Sequence, residues 1–251
     1  MNGIPFYALS PSVDHWATVI TLAFSVLTIA NCLWRAKAMR SSLPVIILLG
    51  SIGTIALEPM VDVLGSLVFP NEGVRIGVDL MGRPMPLYIS LIWFFYWAGG
   101  VLFVAEMILG GITMRKWMVT GAVFVALALL IEMIPLHYRM WHYYNVQPLR
   151  VGGFPAFWGF VNTCAVMGTA AAVVLLHRLL DKASAWLLVP MFPCIAFGLN
   201  TAAGLPGYAA VSTSRDYPTV LFLTTMSMVA SAAFVWLWGK ILLATASKAE
   251  A

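Results

Sequence analysis

The sequence predicts an all-α membrane protein, a bundle of seven transmembrane helices with the N-terminus outside and the C-terminus inside. Three observations carry that prediction. Charged residues make up 10% of the 251-residue chain, against about 25% in soluble domains. Hydrophobic residues make up 61%, and the mean hydropathy is +0.91. The apolar residues are also gathered into seven runs, each near the ~20 residues that a helix needs to cross a bilayer.

The runs cover about 14–34, 43–65, 87–112, 117–137, 155–179, 184–204 and 217–243. The first closes on the basic loop "RAKAMRSS". The second ends in the long segment "SLVFPNEGVRIGVDLMGRPMP". The third carries the aromatic stretch "WFFYW" and closes on "TMRK". The fourth ends in "YRMWHYYNVQPLRVGGF", the fifth on "HRLLDKAS", and the sixth in "PGYAAVSTSRDY". The seventh carries Pro218 at its start and Lys240 near its end. None alternates with the period of two that a membrane barrel strand shows. The runs fill the chain, so residues 1–251 read as a single transmembrane domain without a repeat or low-complexity tract. The opening "MNGIPFYALSPSVDHW" has no basic region ahead of an apolar core, so no cleavable signal peptide is expected.

Charge sets the expected orientation. Seven crossings place Arg35, Lys37, Arg40, Arg115, Lys116, Arg178, Lys182, Lys240 and Lys248 on one side, and Arg75, Arg83, Arg139, Arg150 and Arg215 on the other. Basic residues concentrate on the cytoplasmic side. The formal net charge of +4 therefore reflects topology and gives no reason to expect a nucleic-acid partner. The protein reads as an integral, multi-pass protein of a bacterial inner membrane or a eukaryotic internal membrane. Cys32, Cys164 and Cys194 all fall within helices and read as small apolar fillers. No CxxC or His/Cys cluster has metal-ligand spacing, so no metal or other cofactor is expected.

The cytoplasmic loops are short and basic. The outer loops are longer and combine Gly and Pro turn signals with Arg, Asp, Trp and Tyr. An interfacial aromatic belt accounts for Trp141, Tyr143 and Tyr144. It does not account for the Arg and Asp in the same segments, and long structured loops on one face of a bundle often form a lid.

Counting ~1.5 Å per helical residue brings polar and aromatic groups to one depth in the outer half. Glu58 and Asp62 stand one turn apart in the second run, with Pro59 between them. Glu132 and Asn200 match the depth of Glu58, as do Trp93, Tyr96, Trp97, Trp158 and Asn162 on the inward-running helices. Asp216 stands at the outer mouth of the last helix. An ionisable group at this depth is costly unless it is paired or faces a cavity, so each is a site candidate. Structural roles compete: Glu58 paired with a helix or with Arg83, Asp62 as a cap or loop partner, Glu132 as an interhelical hydrogen bond, and Asn162 and Asn200 as hydrogen-bonding glue. Glu106, at the inner end near Arg115 and Lys116, reads as structural. Pro59, Pro190 and Pro193 are expected to bend their helices and make room for a pocket.

Burial favours the neutral form of a carboxylic acid, which can then donate a proton. A second carboxylate in a wetter place stays ionised and can accept one. Buried Glu58 and exposed Asp216 fit those two roles, with Asp62 tuning Glu58. Aromatic faces stabilise positive charge between them. These are the parts needed to start, guide and quench a carbocation on a greasy polyene or its epoxide. Trp93, Tyr96, Trp97, Glu132, Trp158, Asn162 and Asn200 are the candidate substrate-binding wall.

The chain size, the seven helices, and the pairing of Glu58 in "ALEPMVD" with Asp216 in "TSRDYP" resemble the small integral-membrane terpene cyclases. These act in fungal meroterpenoid and indole-diterpene pathways and have bacterial relatives. In that family a Glu on the second helix and an Asp near the last are thought to supply proton transfer. The resemblance therefore implies a metal-independent cyclase acting on a prenylated lipophilic substrate, with membrane lipids as its surroundings. The sequence has no DDxxD-like cluster for Mg²⁺, so ionisation of a diphosphate is not expected.

Three other readings stay open. A retinal protein would use Lys240, but that residue lies near the cytoplasmic end, and the third run has no acid in its outer part. A proton-coupled transporter or lipid receptor would use the acids as relays, although no inverted repeat is visible. A hydratase, isomerase or epoxide hydrolase would use the same acids with water.

Overall fold

Seven spans long and apolar enough to cross a membrane make up the computed structural model, which describes residues 5–214 and 216–249. Arg215 and the Lys248 side chain lie outside what is described. The spans are α1 (Pro11–Met39), α2 (Leu43–Thr54) continued by a 3₁₀ turn (Ile55–Leu57) into α3 (Glu58–Gly65), α4 (Leu87–Leu109), α5 (Met114–His137), α6 (Ala156–Leu179), α7 (Leu188–Thr213) behind a 3₁₀ turn (Ser184–Leu187), and α8 (Tyr217–Ala249). The fold is an all-α membrane bundle, as its composition requires.

At one end the bundle carries three two-stranded antiparallel ladders. β2 (Ile76–Leu80) pairs with β3 (Arg83–Pro86), and β5 (Arg150–Val151) pairs with β6 (Phe154–Pro155). β1 (Leu67–Val68) and β4 (His142–Tyr143) come from different loops and cross-link them, with Leu67 opposite Tyr143 and Val68 opposite His142. We call this the hairpin end. The opposite, basic end holds the turns after α1, α4 and α6, where Ser42 Oγ lies 3.2 Å from His177 Nε2.

α6 is the central post, packing on α4, α5, α7 and α8. Its run "TCAVMGTAAAVV" is small enough to admit close neighbours; a side chain at Gly168 would meet Leu199 and Trp238. α5 is peripheral, with only Trp117 and Gly121 buried among its residues. Its apolar face is the surface offered to lipid. The buried residues form two cores, one toward each end of the bundle, and Ile55 and Trp93 pack against both. The break between α2 and α3 therefore sits on the seam between the cores.

The segment before α1 is bound to the first hairpin loop. Ala8 bridges Glu72, Leu9 N–H donates to the Glu72 carbonyl (3.0 Å), and Arg75 Nε donates to Asp14 Oδ2 (2.8 Å). At the other end Arg35 pairs with Glu106 at 2.9 Å and ties α1 to α4. Glu106 is thus structural, but its partner is Arg35 rather than the expected Arg115 or Lys116. Lys240 is exposed and lies over the Trp236 ring, 5.5 Å from its centroid.

The main departure from the sequence reading is the sixth span. It was expected to stop near residue 204, because "GLPGY" looks like a turn. Instead α7 runs to Thr213 through Pro206. Proline removes a helical donor and disturbs the local ladder. Here the Ser227 hydroxyl on α8 repairs it, accepting from Gly207 N–H (2.8 Å) and donating to the Gly204 carbonyl (3.2 Å). The expected third loop shrinks to a short link before α8, and Tyr208 becomes a buried helical residue. Pro190 lies in the first turn of α7, where a missing N–H costs little. Cys32 and Cys164 are buried fillers, whereas Cys194 is exposed.

Candidate functional site

The site begins with Pro59. With no N–H, and with a ring that crowds the carbonyl four residues back, Pro59 cannot continue α2. The chain tightens into the turn Ile55–Leu57 and starts a new helix at Glu58, with proline in its first turn. The short α3 is thereby aimed independently of α2. Glu58 and Asp62, spaced i and i+4, share one of its faces. α3 stops at Ser66, which takes a left-handed conformation (φ 55°) and donates its N–H to the Asp62 carbonyl.

Both acids face inward, Glu58 5% and Asp62 1% exposed. The Glu58 carboxyl neighbours the Asp62 carboxyl and the Trp93 indole. Among the described residues neither acid forms an ion pair; the nearest cation to Asp62 is Arg83, at longer range. The alternative pairing of Glu58 with Arg83 is therefore not what the structure contains.

Aromatic rings enclose the pair. Trp158 packs on Gly65 so closely that any side chain there would strike its ring. Its centroid lies 5.3 Å from Tyr208 and 5.8 Å from Tyr143, and Phe157 packs beside it at 5.8 Å. Trp93 lies 6.0 Å from Trp97 along α4. Asp62 Oδ1, Trp158 Nε1 and Trp97 Nε1 are buried with no hydrogen-bond partner among the described residues. Buried orphans of this kind cost about 1–3 kcal/mol each, so most interiors avoid them.

A polar relay flanks the enclosure. Tyr208 Oη donates to Asn200 Oδ1 (2.7 Å), and Asn200 Nδ2 donates to Asn162 Oδ1 (3.3 Å). Asn200 and Asn162 thus act as interhelical glue, while Asn200 also fixes the Tyr208 ring. Tyr96 is turned outward, 36% exposed, with its hydroxyl 3.4 Å from the Asn162 carbonyl. Glu132 on α5 accepts from Trp141 Nε1 at 3.1 Å.

The hairpin-end loops close over the acids. Tyr143 and Trp141 are 5% and 8% exposed, so they are roof residues rather than the interfacial belt expected from sequence. The roof is bolted to the end of α3. Gln147 Nε2 donates to the Gly65 carbonyl (2.9 Å), and Tyr144 N–H to the Ser66 carbonyl (2.9 Å). Asn145 Nδ2 donates to both Ser66 Oγ (3.0 Å) and the Val211 carbonyl (3.1 Å).

Asp216 stands apart from this cluster. It is exposed, and its Oδ2 accepts from the backbone N–H (3.0 Å) and the hydroxyl of Thr219, the geometry of a cap on α8. These bonds, the hydroxyl's first, lower its pKa below the ordinary aspartate value and keep it ionised. Of the ten residues singled out from sequence, Glu58, Asp62, Trp93 and Trp158 form the enclosure. Trp97, Asn162, Asn200 and Glu132 adjoin it, Tyr96 reaches its edge through Trp97 and the Asn162 carbonyl, and Asp216 lies away from it.

Sequence reasoning missed Tyr208, Tyr143 and Trp141. Tyr208 was hidden in a false turn, and the other two in an apparent belt. Among the described residues no three His, Cys, Asp or Glu side chains converge as metal ligands would. No family model matches the chain, and comparison with curated proteins and with solved structures returned no match. What the fold and site define is a class: a seven-span membrane bundle with a buried acid pair that forms no ion pair among the described residues and is packed about by aromatic rings.

Proposed function

We propose that this protein is a membrane-embedded cyclase of a prenylated lipophilic substrate, initiated by a proton from Glu58. The observation that carries the reading is the Glu58–Asp62 pair, one turn apart, buried, without an ion-pair partner among the described residues, and walled by Trp93, Trp158, Tyr143 and Tyr208. Glu58 gives its proton to a terminal epoxide oxygen or alkene carbon. Each ring then closes as a π pair forms a carbon–carbon bond and passes the positive charge onward. The aromatic faces hold that charge and keep water out. Because the two carboxyls are neighbours, Asp62 then passes its own proton to the Glu58 carboxylate. The Asp62 carboxylate so formed takes one proton from carbon, which forms the final alkene and restores the pair. One proton enters and one leaves, so the product is an isomer of the substrate. Asp62 takes the base role first expected of Asp216, whose carboxylate is engaged in capping. In this reading the hairpin end faces outward and the basic end faces the cytoplasm, as the charge distribution favours.

The test is to incubate purified protein in nanodiscs with a panel of prenylated aromatics and their terminal epoxides, and to separate the products by mass and retention time. A new species of unchanged mass, absent with Glu58→Gln, is expected. No isomer from any member of the panel would overturn the reading, and a product heavier by one water would assign a hydratase or epoxide hydrolase instead.

One feature favours a second reading, proton-coupled transport. Glu132 lies close enough to Glu58 for their charges to interact, which gives a three-acid chain from α3 to α5. Transport would leave the solute chemically unchanged while moving protons in proteoliposomes.

A further inference from the structure

A large open cavity lies apart from the buried acids and has neither Glu58 nor Asp62 in its lining. It opens at the hairpin end beside the last turns of α5, encloses about 880 Å³, and shares Trp141 and Tyr143 with the roof of the chamber. Pockets of about 300–1,000 Å³ suit small organic ligands. Its chemistry is one-sided. Arg139, Arg150, His137 and His142 line it, and no Asp or Glu does.

The cations are placed and unspent. Arg150 is fixed by donating Nε–H to the Gln147 carbonyl (3.2 Å) and an NH2 hydrogen to the Tyr143 carbonyl (3.2 Å). A guanidinium has five donors, so others remain. Among the described residues the Arg139 side chain makes no hydrogen bond or ion pair. Both guanidiniums line the cavity with His142, whose pKa is lowered first by burial and then by the charges of Arg150 and Arg139. Two cations sharing a concave site without a counter-ion repel one another, and an anion relieves that repulsion.

The rest of the cavity is apolar and continues onto the membrane face. Met133 and Ile134 line its α5 side. Ile134 is also the last member of an exposed stripe, Leu127, Leu130, Ile131 and Ile134, at helical spacing along the flank of α5. A basic pocket at the end of a lipid-facing apolar stripe has the form of a site for an amphiphile.

We propose that this cavity binds the acidic head, a phosphate or carboxylate, of a single amphiphile whose tail lies along the α5 stripe. Arg139 and Arg150 hold the head beneath the hairpin loops. The site goes beyond the proposed reaction and does not depend on it, since binding here involves neither Glu58 nor Asp62. Its occupant would rest against the outer side of Trp141 and Tyr143, on the roof of the acid chamber.

The experiment is native mass spectrometry of the full-length protein in neutral detergent with short-chain phosphatidic acid, phosphatidylcholine of the same chains, and inorganic phosphate. Three proteins are compared: wild type, Arg139→Asn and Lys182→Gln. Asn tolerates the left-handed backbone at 139 (φ 56°), and Lys182 is exposed at the basic end. One phosphatidic acid should bind at least tenfold more tightly than phosphatidylcholine. That preference should fall at least fivefold in Arg139→Asn and persist in Lys182→Gln. Equal affinity for inorganic phosphate would make this a site for a soluble anion and overturn the amphiphile. No preference for the acid, or a preference lost with Lys182→Gln and kept with Arg139→Asn, would overturn the site. Glu58→Gln should bind phosphatidic acid like wild type, so failure of the cyclase reading and failure of this one are distinguishable.

Discussion

Glu58 and Asp62 stand one helical turn apart on the same face of α3, both almost wholly buried, and no basic side chain pairs with either among the described residues. The contrast with the other acids of the bundle is direct. Glu106 is paired with Arg35, Asp14 with Arg75, and Glu132 accepts from Trp141. A carboxyl pair without an ion-pair partner is costly inside a bundle, which is the ground on which the proposed reaction rests.

Glu58→Gln keeps the size and hydrogen-bonding capacity of the side chain and removes the acid. The proposed mechanism expects turnover to fall by about 10²–10⁴-fold, the usual worth of a general acid, with the thermal unfolding midpoint in detergent unchanged or raised. Product analysis under single-turnover conditions checks it, and substantial residual activity would remove Glu58 from the donor role.

Asp62→Asn separates proton return from proton donation. Glu58 can still start the reaction, but the closing proton loses its acceptor, so alkene formation should slow by about tenfold or more from the first turnover onward. Products quenched by water in place of the alkene are expected. The wild-type alkene formed at the wild-type rate would exclude Asp62 as the acceptor.

Asp216→Asn tests the cap against the base. Asn caps a helix about as well as Asp, so folding, rate and product profile should stay close to wild type. The pH dependence should differ. The Asp216 pKa is lowered in the folded state, so its contribution to stability is present above the unfolded aspartate pKa and is lost as pH falls through the folded one. The wild-type midpoint should therefore drop more steeply on acidification than that of the variant. A changed product profile would return Asp216 to the reaction.

Trp141→Phe deletes the indole donor to Glu132 and leaves a carboxyl without its partner. Losing such a bond costs about 1–3 kcal/mol, and the cost should appear where the roof is held. Hydrogen exchange of amides in 138–147 should quicken on the order of tenfold, with exchange in α6 unaltered. Unchanged exchange in the roof would show that this bond does not hold it shut.

Ser227→Ala removes the hydroxyl that repairs α7 at Pro206. The buried Gly207 N–H then loses its acceptor, so stability should fall by about 1–3 kcal/mol, read as a lower unfolding midpoint in detergent. The double variant Ser227→Ala, Pro206→Ala should recover much of the loss, because without the proline ring the helix can regularise and Gly207 N–H can bond the carbonyl four residues back.

The spans were legible because their signal is bulk hydropathy, which survives any local detail. So was the acid pair, because two carboxylates in an apolar run conflict with the solvent whatever the packing. Tyr208 was not legible: "GLPGY" is a turn by local chemistry, and only a serine 20 residues away keeps it helical. Trp141 and Tyr143 carry the composition of an interfacial belt, and pairing between two loops far apart in sequence is what turns them inward. The depth count grouped Tyr96 with Trp93 and Trp97, but depth does not give the helix face, and Tyr96 is the most exposed of the three.

The hydrogen bonds that fasten Tyr144, Asn145 and Gln147 to Gly65 and Ser66 have a mechanical consequence. They attach the roof to the C-terminal end of the same eight-residue helix that carries both acids. The other end of that helix is a proline-defined joint at the seam between the two cores. α3 links that joint to the loops as a lever links its fulcrum to its handle. In the proposed reaction, lifting the roof to admit a substrate would swing Glu58 and Asp62, and reseating it would re-aim them, so access to the acids and their readiness would be one motion.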